Sequence, residues 1–283
     1  GSVTPSGLAV NASSVNGFFA AAGAGSAGII GIAGAFVVGL SSDTTKAYIG
    51  DSSQDTTINV SSALAVSAIS DNTFNSYSIG GSFAGLGAVA GMADATVVNN
   101  TTEARIERAT GTQQSSSVTV NAQETVTISP TTGAGALATA GAGIGAGVNI
   151  VMLKSTVAAT VLNSTLNTSG AFNVSAGSAK NINMMTATVG AGLTVGIGAA
   201  TAVLLVGTTA PGDAANAIAD TVASADNSSS STSSSGNGIR SGNHVPGNDQ
   251  TPAAAAPAVS VASQLGSAHD AVTAEITGGS TTA

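Results

Sequence analysis

Polar and apolar positions alternate through four recurrences of one short phrase. It reads Leu8-Ala9-Val10-Asn11-Ala12, Ile58-Asn59-Val60-Ser61-Ser62, Val118-Thr119-Val120-Asn121-Ala122 and Phe172-Asn173-Val174-Ser175-Ala176, with central valines 50, 60 and 54 residues apart. Period-two alternation, seen again in Thr125-Val126-Thr127-Ile128, predicts strands with one face buried. A second phrase keeps step with the first: Ala47-Tyr48-Ile49-Gly50, Ala104-Arg105-Ile106-Glu107 and Ala159-Thr160-Val161-Leu162. The next valine of the first phrase follows Ile49 by 11 residues, Ile106 by 14 and Val161 by 13. Two markers in step identify a structural repeat.

A Gly/Ala-rich stretch lies between the phrases of every unit, at 20–40, 79–93, 133–151 and 189–206, and each passes from small residues toward larger aliphatics. Asn16-Gly17 and the Ser/Thr/Asp clusters predict turns, and hence short strands. A unit of about 55 residues exceeds the ~20–45 of one solenoid repeat, which predicts two or three coils per unit. At ~20 residues per coil the rod would have about eleven coils and a length on the order of 50 Å. The predicted fold class is all-β, a parallel β-helix in which glycine serves close sheet approach or a turn needing positive φ.

The fourth unit breaks off near Val206, and its second phrase returns as Val272-Thr273-Ala274-Glu275-Ile276. Val174 to Ile276 spans 102 residues, against 39, 46 and 41 for the earlier equivalents. The predicted organisation is therefore β-helix coils over 1–206, an inserted excursion over 207–267 and a return strand over 268–283. The excursion carries a Ser-rich run at 227–237 and a Pro/Ala segment at 251–257. These compositions predict disorder and then a stiffer spacer. A short helix is expected before them, capped by Asp213, with Ala214, Ile218 and Val222 on one face.

Composition narrows the core. Of the 283 residues 43% are hydrophobic but only 3% aromatic, with 37 glycines and no tryptophan, so small aliphatics must fill a thin interior. Mean hydropathy is +0.37. Six Lys plus Arg against fourteen Asp plus Glu give a net charge of -8, and the basic residues do not cluster, which argues against nucleic acid as a partner. Cysteine is absent, so disulfides, thiolate metal sites and cysteine nucleophiles are excluded. The opening Gly1-Ser2, without Met or an apolar leader, predicts an excised fragment.

The competing reading is a membrane helix, since 17–40 is uncharged and spaces small residues at Gly23, Ala27, Gly31, Ala35 and Gly39. Flanking Lys/Arg and Trp/Tyr anchors are missing, and the stretch at 79–93 is too short to span. Long α-helices over 20–40 or 133–151 would exclude the β-helix.

Little chemistry is predicted. Gly23-Ala24-Gly25-Ser26-Ala27-Gly28 matches the dinucleotide fingerprint, but in so Gly/Ala-rich a chain the match is expected by accident. His244 and His269 read as loop histidines, and Asp213, Asp220 and Asp226 as helix-capping or solvated carboxylates. Glu103, Arg105 and Glu107 share a strand face opposite Ile106, a solvated outer face beside Arg108. The pairs Thr125/Thr127 and Thr186/Thr188 are too few for an ice-ordering array. No catalytic, cofactor-binding or metal-binding residue and no cofactor is assigned, and no enzyme activity is expected.

The Val-Asn-Ala and Val-Ser-Ala strand phrases, the Gly-Ala-Gly-Ile-Gly-Ala-Gly-Val run at 141–148 and Ala-Thr-Val-Leu-Asn-Ser at 159–164 resemble the filamentous-haemagglutinin-like and leukotoxin-like adhesins of Gram-negative bacteria. Those large exoproteins leave the cell by two-partner secretion or as autotransporter passengers. The resemblance, over about 8–206 and 268–283, implies a right-handed β-helical shaft that is secreted or displayed at the outer membrane and acts in adhesion or biofilm. It implies a surface glycan or protein receptor as partner, with membrane attachment only through the parent's anchor. The open ends of such a shaft add end-to-end self-association. The alternatives are a Gly/Ala-rich membrane-inserting or oligomerising protein and a carbohydrate-active β-helix.

Overall fold

The computed structural model describes residues 2–3, 6–111, 115–207, 259–265, 271–277 and 280–282. Every regular element among them is a strand, and every pairing is parallel. The strands are β1 (Ser2–Val3), β2 (Leu8–Ile49), β3 (Thr56–Ile58), β4 (Ala63–Glu107), β5 (Ala109–Gly111), β6 (Ser117–Ala138) and β7 (Ala142–Leu162). They continue as β8 (Thr165–Asn167), β9 (Phe172–Ile182), β10 (Met185–Gly192), β11 (Val195–Val206), β12 (Val259–Leu265), β13 (Ala271–Thr277) and β14 (Ser280–Thr282). The large sheet is strongly curled into a half-barrel. Both 20–40 and 133–151 lie in strand, not helix, apart from the break between β6 and β7.

The large sheet is a stack of four rows. β2 forms the first, β4 the second, β6 with β7 the third, and β9, β10, β11 and β13 the fourth. Leu8 lies beside Leu64, Leu64 beside Val118 and Val118 beside Phe172, offsets of 56, 54 and 54 residues. One repeat unit therefore makes one row, and the expectation of two or three short coils per unit is corrected. The stack is four rows deep, about 15 Å along its axis at ~4.8 Å per row, in place of eleven coils. The small sheet repeats the stacking, with β1, β3, β5, β8 and β14 side by side.

Two finer expectations are also corrected. The second-row partner of Val10 is Val66, not Val60, because Leu64-Ala65-Val66-Ser67-Ala68 carries the phrase and Ile58 belongs to the small sheet. Asn16-Gly17 makes no turn; it sits inside β2 beside Asn72-Thr73. A parallel neighbour in register holds even a Gly-rich run extended, so local turn propensity loses to the ladder.

Each row folds back on itself at its Gly/Ala-rich middle. In the third row the bend lies at 139–141, between β6 and β7, and the inner faces of the two arms meet. Asn149 Nδ2 donates to the Pro130 carbonyl at 3.1 Å, and Ser155 Oγ donates to Glu124. Away from the bend, Val118, Val120 and Ala122 pack with Val157, Ala159 and Val161. Stacking adds Leu64, Val66 and Ala68 from the second row to the same core. Fully burying one such valine contributes about 1.5–3 kcal/mol.

Toward the bend the interior thins. A methyl added at Gly143 would lie 2.8 Å from the Ala136 carbonyl of the opposite arm and 2.0 Å from that of Ala191. The interior is thus a wedge, which explains why each unit grades from Gly and Ala to Val, Ile and Leu. At the other end the chain leaves its arm through positive φ: Gly50 (78°), Arg108 (50°) and Asn163 (49°), with Gly207 (76°) closing β11. Pro130 lacks an N–H, and the fourth row breaks opposite it, between Ile182 and Met185.

β13 pairs with β7, placing Val272 beside Val157 and Ile276 beside Val161. β12 pairs with Ala200–Val206, so the chain rejoins the sheet at Val259, inside the segment read as an excursion. The helix expected after Asp213, the Ser-rich run and the Pro/Ala segment lie outside the described residues.

Candidate functional site

The outer faces of the two arms differ. Near the end of the second arm, neighbouring rows bring Lys46 beside Glu103 and Tyr48 beside Arg105. Lys46 Nζ is 3.4 Å from Glu103 Oε2, and the Tyr48 hydroxyl donates to the same oxygen at 2.8 Å. Arg105 spans Glu103 (3.6 Å) and Glu107 (3.3 Å) and lies 4.5 Å over the Tyr48 ring. The Lys46 ammonium is held above its usual range first by the Tyr48 hydroxyl and then by Glu103. Glu103, Arg105 and Glu107 do share one face, with Ile106 fully buried opposite. Part-buried and mutually paired, they form a cross-row brace in place of the free solvated face expected. Arg108 turns away and meets Asp55 at 2.7 Å.

The first arm carries an open trough of about 410 Å³ across the rows near the bend. Its floor is a column of glycines, Gly25, Gly81 and Gly135, which are successive row neighbours, and Val189 ends the column. Phe83 and Leu137, neighbours in the next outward column, form one wall. Both are about half exposed, and Phe19 and Tyr77 pair nearby with ring centres 5.7 Å apart. An uncharged trough with an aromatic edge suits apolar or sugar-ring contacts and offers no acid, base or nucleophile. The signal was present in the sequence: glycines recurring at one row position leave a groove, but recognising the column requires the register that Val60 obscured.

Polar groups also line the interior. The Asp43 carboxylate accepts from Ser70 Oγ at 2.9 Å and from Ser14 Oγ at 3.3 Å across the first two rows. Glu124 accepts from Ser155 and from Ser178, 3.1 Å away. Burial lifts Asp94 above the ordinary carboxylate range despite hydrogen bonds from Ser76 and Thr96.

The Gly23–Gly28 run lies in uninterrupted strand, without the strand–turn–helix that a dinucleotide phosphate needs. Thr125 and Thr127 point outward whereas Thr186 and Thr188 are buried, so the two pairs share no surface. His244, His269, Asp213, Asp220 and Asp226 lie outside the described residues. Among the described residues no group of three or more His, Asp or Glu is placed to hold a metal.

No protein-family model, no curated protein and no solved structure matches this chain.

Proposed function

We propose that the chain is a structural segment of a right-handed parallel β-helix, part of a bacterial surface adhesin that is secreted or held at the outer membrane. The observation that carries this reading is the row register. Four successive repeats stack in parallel with Val10, Val66, Val120 and Val174 in one column. A chain that adds one row per repeat lengthens indefinitely by repetition, which is what a projecting shaft requires. The first-arm trough is the surface such a shaft would present to a glycan or protein receptor.

The adhesin and carbohydrate-active readings separate on one pair of assays. The purified chain is screened on a glycan array and incubated with the polysaccharides of any hits. Retention on glycans without new reducing ends, weakened in Phe83→Ala, is the expected result. Release of reducing ends would replace this reading with catalysis.

A membrane role has one observation in its favour: 6–42, 72–93, 125–153 and 181–207 are free of Asp, Glu, Lys and Arg, so the bend half of every row is uncharged. Ile30, Ile32, Phe36, Leu40 and Leu86 are exposed there. Against insertion stands the open edge of β2, whose unpaired backbone groups would be costly in hydrocarbon. No helix among the described residues is long and apolar enough to cross a membrane. Co-flotation with phosphatidylcholine vesicles would favour the membrane role over the shaft.

A further inference from the structure

We infer that β2 is a dimerisation edge, joined to the β2 of a second copy by antiparallel pairing about a two-fold axis that runs from the open end of the row to its bend. Three observations lead there. First, the first-row core is unfinished: Val66, Ala68 and Phe74 are buried, while their row neighbours Val10, Ala12 and Phe18 are only partly so. Second, β2 is 42 residues long, pairs with β4 on one side only, and contains no proline and a single lysine. Nothing blunts it against a further strand. Third, the opposite end of the stack is partly taken, because β12 already pairs with Ala200–Val206. Head-to-tail stacking would meet that strand; an isologous contact through β2 alone avoids it.

The register of the contact follows from the fold. Within the first row, Ser14 meets Asp43 across the interior, and additions at Gly39 and Gly31 would meet Phe18 and Ser26. A rotation axis along the arms keeps every residue at its own height. Each first-arm residue of one copy therefore lies against the second-arm residue it faces in its own chain. Val10 then covers the partner's Ala47, and Phe18 the partner's Gly39.

The outer columns fit the same register. Phe36, Ile32 and Leu40, each more than 60% exposed, would lie over Ala21, Gly25 and Gly17 of the partner, large against small. Phe19 would lie over the partner's Val38, both exposed. No charged pair of like sign is brought together, and the two half-filled cores become one.

Because the chain has no cysteine, engineered disulfides read this geometry directly. Residues opposed in an antiparallel pair have Cα atoms about 4.5–5.5 Å apart, within disulfide range. Phe19→Cys with Val38→Cys is expected to form a covalent dimer on mild oxidation, and neither single variant should. Phe19→Cys with Asn183→Cys is the control, since head-to-tail stacking would bring those columns together. Light scattering of the wild-type chain should give twice the monomer mass. Phe19→Lys with Val38→Lys should halve that mass, and Phe19→Lys with Val38→Glu should restore it, with circular dichroism verifying the fold. A wild-type monomer, free or bound to phosphatidylcholine vesicles, overturns the inference. So does cross-linking through 19 and 183, or a Lys/Lys variant that stays dimeric. None of these results bears on glycan binding, so this inference and the adhesin reading fail separately.

Discussion

Replacing Gly143 by alanine adds one methyl group at the thinnest part of the interior. The added carbon would sit 2.0 Å from the Ala191 carbonyl oxygen, 2.7 Å from its carbon and 2.8 Å from the Ala136 oxygen, all backbone atoms. Carbon and oxygen do not normally approach below about 3 Å, so the arms must separate by roughly an ångström along several rows. Overpacking of this kind costs about 1–3 kcal/mol. Gly91→Ala is the matched control, because nothing lies within 4 Å of its added methyl, which points outward. Alanine there removes backbone freedom from the unfolded chain and should stabilise by about 0.4–1 kcal/mol. The two variants are compared by urea unfolding followed by far-ultraviolet circular dichroism, and the midpoints should move in opposite directions. Equal shifts, or a Gly143→Ala protein as stable as the parent, would refute the claim that the inner faces of the arms touch at the bend.

Asp94 is buried, one of its oxygens has no partner, and burial raises its pKa. A carboxyl whose folded pKa lies above its unfolded value loses stability as pH rises from the unfolded pKa through the folded one. Asp94→Asn should therefore raise the melting temperature at pH 7, by about 1–3 kcal/mol of stability, and give no comparable gain at pH 3. A gain equal at both pH values would exclude the charge as its cause. Ile106→Ala empties a fully buried site beneath the charged brace and should cost about 2–5 kcal/mol in the same urea titration. Arg105→Ala should cost about 1 kcal/mol or less, and part of that loss should persist in 1 M salt because packing on Tyr48 outlasts screening.

The repeat was legible because its alternating phrases carry large side chains. Val10, Val120 and Val174 point to the parallel stack directly, and the small-to-large gradient of 133–151 points to a narrow interior. The row length was not legible, because strand breaks were read from Gly, Asn and Ser. In this sheet those residues stay extended, since neighbouring rows supply every hydrogen bond that a turn would otherwise satisfy. The same misreading put Val60 in place of Val66, and with the register lost, the column of Gly25, Gly81 and Gly135 could not be seen as a trough. Side-chain pairing across rows, as in Tyr48 with Glu103, depends on a register that no single repeat contains.

A row of two arms, each of about 22 residues and so roughly 70 Å long, changes what a shaft of this kind presents. The cross-section is broad and thin, with separate outer faces on its two sides. One face carries the braced charges toward the open end; the other carries the aromatic trough toward the bend. Every outward position recurs once per row at ~4.8 Å, so a contact made in one row can be repeated in the next wherever the column conserves its chemistry. Ligand affinity in such a surface grows with the number of rows engaged more than with the quality of any one site. That is why the glycine column matters more than Phe83 alone: it keeps the trough open across three rows, and a bulky residue at Gly81 would divide it in two.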